Sequence, residues 1–166
     1  MDLDKLNFLP EWDDERFDDE EHEGDEWKLK EERGAAKAMY NKWREVFGLV
    51  IAFTELLDSD DENVEKDKFG SITSRLIWEN AMIVGPKISG AVHCDLYILK
   101  MENAAIIRTN CMQLIIQVSS AVMFEKADKA HEKAIKETMS EFRELFKNWV
   151  SHFQKDEFED EWGLFN

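Results

Sequence analysis

A chain of 166 residues with 43% hydrophobic side chains is one domain's worth of sequence, and it is too apolar to be disordered throughout. Its formal net charge of −16 argues against a direct grip on nucleic acid or on an anionic membrane, since both require a basic face. The charge is also uneven: residues 1–26 hold 13 acidic side chains against 2 basic, residues 156–166 hold 5 against none, and residues 27–155 balance 19 against 19.

The chain therefore divides into an acidic tail at 1–25, a neutral body at 26–155 and a second acidic tail at 156–166. The first tail alternates its carboxylates with Phe8, Leu9, Trp12 and Phe17. A solvated tail has no use for so many apolar side chains, so it either folds back over a groove or orders on a partner. Trp12 and Phe17 are its candidate partner-binding residues.

Helix one is expected over 26–57. Ala36, Met39, Tyr40, Trp43, Phe47, Val50, Thr54 and Leu57 recur at the three-and-four spacing of one buried stripe. Leu49, Ile51 and Phe53 fall off it and suggest a second contact surface, such as a dimer interface. The acidic break at 58–63 has Asp58, Asp60 and Glu62 at alternate positions, as a calcium loop would. The sixth place is Asn63 instead of glycine and the twelfth is Phe69 instead of glutamate, so the break reads as a turn and helix cap.

Helix two is expected over 63–84, with Phe69, Ile72, Leu76 and Ile83 facing inward. Gly85–Pro86 should interrupt it, because proline removes a backbone donor and its ring meets the carbonyl four residues earlier. Residues 87–92 resume after a kink, and 93–95 form the turn, with Asp95 as the cap of the next helix.

The stretch 95–124 is apolar on nearly every side when wound as a helix, the mark of an element surrounded by protein. Asn103, Asn110 and Gln117 recur every seven residues along it and, with Asn80 of helix two, are the expected polar core, fixing register as single amides do in coiled-coil seams. Helix four is expected over 128–155, with Ala134, Thr138, Phe142, Leu145, Phe146, Trp149, Val150 and Phe153 on its inner face. No glycine or proline marks 125–128, so one continuous helix over 96–155 is the alternative. The C-terminal tail carries Phe158, Trp162 and Phe165, of which Trp162 and Phe165 are candidate partner-binding residues.

Few residues suggest chemistry. A hairpin centred at Gly90–Ala91 would set Glu79 level with Glu102, two carboxylates able to share a metal or a proton; one centred at His93–Cys94 would set Glu79 opposite Arg108. The Glu-x-x-His pairing of carboxylate metal bundles is absent, its nearest echo being Asp128 and His131 at a helix start. Ser119–Ser120 have no His or Asp beside them, and no glycine-rich loop is present to cradle phosphate. Cys94 and Cys111 form neither a CxxC nor a disulfide framework.

The fold expected is all-α, an antiparallel up-down-up-down four-helix bundle with acidic tails. The function expected is a non-enzymatic interaction or assembly module, without cofactor, forming a homo-oligomer or engaging a basic protein. With no leader ahead of an apolar segment and no run of ~20 apolar residues, the expected location is the cytoplasm. The alternatives are a metal- or ligand-binding bundle built on Glu79, Glu102, Asn80 and Asn103, and a nucleic-acid mimic that opposes a basic protein with its tails.

Overall fold

The computed structural model describes residues 9–17, 26–59, 67–124 and 127–165. Among these the regular structure is all helical: a 3-10 turn at Asp14–Phe17, then α1 (Glu26–Ser59), α2 (Asp67–Val92), α3 (Tyr97–Phe124) and α4 (Lys129–Ser151), packed as a bundle. The acidic stretch beyond Ser59, the cap expected at Asn63 and the side chains of Phe17 and Phe69 lie outside the described residues.

α1 packs on both α2 and α4, and its stripe is the one the spacing predicts. Ala36, Met39, Tyr40, Trp43, Phe47, Val50 and Thr54 are buried. Trp43 meets Phe142 of α4 at 5.3 Å between ring centres, and Phe47 meets Trp78 of α2 at 5.2 Å. Having two neighbours, the helix needs two inner faces, so Ile51 and Phe53 are buried within this chain and do not form a separate contact surface.

α2 differs from the expectation twice. It runs unbroken through Pro86, whose ring lies on the exposed side, and the missing N–H leaves the Met82 carbonyl without its helical donor. It also turns its other stripe inward: Ser74, Ile77, Ala81, Val84, Ile88 and Ala91 are buried, while Ile72, Leu76 and Ile83 are exposed. The chosen stripe is the one of smaller side chains, which lets α2 approach α1 and α3 closely, and it brings Gly85 inward as Pro86 faces out.

α3 is not surrounded by protein within one chain. Its inner face is Lys100, Ala104, Ile107, Cys111, Leu114, Val118, Ala121 and Val122, packed on α2 and α4, while Leu99, Met112, Ile116, Met123 and Phe124 remain exposed. The helix starts at Tyr97, two residues beyond the expected cap at Asp95.

α4 is a separate helix, not a continuation of α3. Asp128 caps it, accepting the Ala130 backbone N–H at 2.8 Å, and the His131 ring nitrogen sits 2.9 Å from the same carboxylate. Both contacts hold the Asp128 carboxyl below its usual pKa, the backbone bond being the larger cause. Ile135, Met139, Phe142 and Trp149 are its buried residues, so the stripe sits one residue further along than expected at 134 and 138. Trp43 and Trp149 are fully buried, and their indole N–H groups have no acceptor among the described residues. The ~1.5 to 3 kcal/mol gained by burying each large ring offsets that loss.

Candidate interaction site at the C-terminal segment

After α4 the backbone N–H of His152 bonds back to Trp149 and Val150, which closes the helix, and Phe153 seats its ring edge-on against Trp149 at 4.6 Å. The chain then crosses to the start of α3. Asp156 Oδ2 accepts the Tyr97 backbone N–H at 2.7 Å, and Oδ1 accepts the Phe158 backbone N–H at 3.0 Å. A helix start leaves N–H groups without internal partners and carries partial positive charge, so a carboxylate there is doubly favoured. The cap that α3 takes is thus Asp156, from 59 positions further along the chain.

Asp160 folds the next turn. Its backbone carbonyl accepts the Gly163 N–H at 2.9 Å and its Oδ2 accepts the Leu164 N–H at 2.8 Å. Gly163 adopts φ 67°, a left-handed conformation that costs glycine little. Tyr97, Ile98, Phe158, Leu164 and Phe165 then line a cavity of about 420 Å³, rimmed by the carboxylates of Asp156, Glu157, Glu159 and Asp160. Lys155 places its ammonium 5.9 Å from the Tyr97 ring centre. Trp162 stands outside the cavity on the turn, 93% exposed. An apolar ring held out on an ordered acidic turn can bury area on a partner while the charges draw a basic one in.

The N-terminal segment is tied down differently. Leu9 is buried against Gly85 and Trp43; Tyr40 donates its hydroxyl to the Pro10 carbonyl at 2.7 Å; Trp12 packs on Tyr40 at 5.5 Å; and Asp14 pairs with Lys37. Burial raises the Tyr40 phenol above its ordinary pKa, with Arg44 opposing. Trp12 therefore has an intramolecular seat, and of the candidate partner-binding rings among the described residues Trp162 is the one presented to solvent.

The expected carboxylate pair does not form. Asn80 donates to Gln117 at 3.0 Å, so position 80 of α2 is level with position 117 of α3. Glu102 is 15 residues from that level, roughly 22 Å along the axis at ~1.5 Å per residue, so neither expected pairing of Glu79 holds. Glu79 pairs with Arg75 on its own helix at 3.5 Å. Among the described residues, no three or more His, Cys, Asp or Glu side chains are grouped to hold a metal ion.

The amide line also differs. Asn103 and Asn110 donate to the carbonyls of Leu99 and Ile106 on their own helix, and with Gln117 they lie only part-buried. Only Asn80 is buried. The buried polar pair of the core is one that spacing does not reveal: Lys100 Nζ lies 2.6 Å from Glu32 Oε1, with the two residues 7% and 5% exposed, and the Phe153 ring sits 5.8 Å from the same ammonium. The available signal was Lys100 itself, the one charge on the inward side of a nearly uncharged helix. The Asp156 cap had no local signal at all.

No family model, no curated protein and no solved structure matches the chain. No helix among the described residues is long and apolar enough to cross a membrane.

Proposed function

We propose that the chain is a non-enzymatic interaction module of the cytoplasm, an antiparallel up-down-up-down bundle whose acidic C-terminal tail engages a basic protein. The reading rests on one observation: Trp162 is 93% exposed on a turn that Asp160 folds, amid Glu157, Glu159, Asp160 and Glu161. The bundle topology is supported by where the ends meet. Glu32, early in α1, reaches Lys100, early in α3, and Asp156, after α4, reaches the same end at Tyr97. The cytoplasmic setting is supported by Cys94 and Cys111, both free thiols.

Capture of a basic partner from the host by the full chain tests the reading, with Trp162→Ala and the triple change Glu159→Gln, Asp160→Asn, Glu161→Gln as variants. Retained helicity with loss of capture in both variants is the expected result. Capture that both variants preserve would reject the tail as the site.

A further inference from the structure

The groove where α1 meets α2 at Gly85 grips its occupant at several separate points. Leu9 fills the place of the side chain that Gly85 lacks. The Tyr40 hydroxyl holds the Pro10 carbonyl while its ring packs on Trp12. Lys37 pairs with Asp14, and Arg44 lies 4.0 Å from Glu11. Lys37, Tyr40 and Arg44 stand three and four residues apart on one face of α1, so the helix sets a cation, a ring with a hydroxyl and a second cation in line.

The occupant is held lightly and brings its own shape. Of residues 9–15 only Leu9 is buried; Trp12 is half-buried, and Pro10, Glu11, Asp13, Asp14 and Glu15 are exposed. Exposed ion pairs add little, so the entropy lost in ordering the stretch is opposed mainly by one side chain and one ring. Trp12 donates its indole N–H to Asp14 at 3.1 Å, and Asp13 accepts the Glu15 backbone N–H at 3.0 Å. Bonds between residues two apart can form in a free peptide as well as a docked one. The seat also keeps a donor that Leu9 cannot use. The buried Trp43 indole N–H has no acceptor among the described residues, and Cδ1 on the same ring edge would stand 3.8 Å from a Cβ at Gly85.

We propose that this groove is a docking site for an acidic segment of another protein, one with an aliphatic side chain three residues ahead of a tryptophan. The chain's own residues 9–15 then occupy it as an intramolecular competitor. Charge selects that class of partner: two cations border the groove, and the resident stretch brings four carboxylates, Glu11, Asp13, Asp14 and Glu15. A second copy is the weaker occupant, because it can offer the same segment only by vacating its own seat, and the exchange gains no contact. Docking of the partner would release residues 9–15. The site makes no use of Trp162.

Fluorescence anisotropy of a labelled peptide copying residues 9–15 tests this against the full chain. In the full-length double variant Leu9→Ser, Trp12→Ser the resident segment loses both anchors. The peptide should bind that variant more tightly than the natural chain by about tenfold or more, since an attached competitor acts at an effective concentration on the order of mM. Added salt should weaken the binding. Serine in place of leucine at the start of the peptide, or Gly85→Ala added to the double variant, should abolish it, with circular dichroism showing each chain folded. A double variant that stays helical and binds no peptide, a peptide held equally by variant and natural chain, or binding indifferent to Gly85→Ala overturns the proposal. A double variant that unfolds overturns it too, because the segment would then belong to the core. So does a natural chain that sediments at twice its 19.5 kDa and at the single mass after Leu9→Ser, which would give the groove to a second copy.

Discussion

Lys100 and Glu32 show how costly a lone charge in this core would be. Removing one member of a buried ion pair strands the other, at ~3 to 5 kcal/mol, whereas replacing both with apolar side chains of similar volume is often neutral. Lys100→Met or Glu32→Leu alone should therefore lower the urea midpoint sharply, and the double replacement should recover most of the loss. A strictly additive double variant would show that the pair does not act as a unit. Cys111 gives a second expectation at this scale. Burial pushes its thiol up to about 12 from an ordinary 9.0. The folded state then keeps a proton that the unfolded state releases, so this group's contribution to stability is intact below pH 9 and declines between there and 12. In the native protein at pH 8 a thiol reagent should modify Cys94, which is half-exposed, and leave Cys111 until the chain unfolds. Cys111→Ala should flatten the alkaline decline.

At the scale of elements, four helices and their order were legible in the sequence because periodicity, the polar break after α1 and the aspartate ahead of α4 are local signals. The inner stripe of α1 was legible for the same reason, since its face holds Trp43 and Phe47, whereas the second inner face that buries Ile51 and Phe53 was not. α2 was misread because both its stripes are apolar, and three-and-four spacing cannot say which of two apolar stripes packs closer. Gly85 decides part of it. A Cβ there would collide with Leu9 Cδ2, so the absent side chain is the seat of the N-terminal segment. The obstacle is the far end of a flexible side chain, so Gly85→Ala should release residues 9–15 without unfolding the bundle, and alanine should strengthen α2 itself by up to ~1 kcal/mol. Protease sensitivity that rises near Trp12 while the thermal midpoint holds or climbs is the expected pair of results. Loss of the whole helical signal would show that the segment is essential to the core.

For the molecule as a whole, the partition of charge was legible in composition alone, but the seats of the tail residues were not. The rings of the C-terminal tail marked it as a contact segment, yet the bond from Asp156 to Tyr97 depends on how two distant stretches meet, and no spacing encodes that. Trp12 and Leu9 of the N-terminal tail gave the same local signal and met a different fate, because Tyr40 and the gap at Gly85 lie within their reach. Trp162 has no such seat.

The contacts that gather where α2 passes into α3 join residues far apart in sequence: 68 positions separate Glu32 from Lys100, and 59 separate Tyr97 from Asp156. By comparison 37 separate Asn80 from Gln117, within one hairpin. Closing long loops costs entropy before any contact repays it, so the α2–α3 hairpin should assemble early and this end should knit together late. Substitutions at Lys100 or Asp156 should then hasten unfolding while leaving the refolding rate nearly unchanged, and Asn80→Ala should slow refolding. Time, on this account, is written into the bundle from one end to the other.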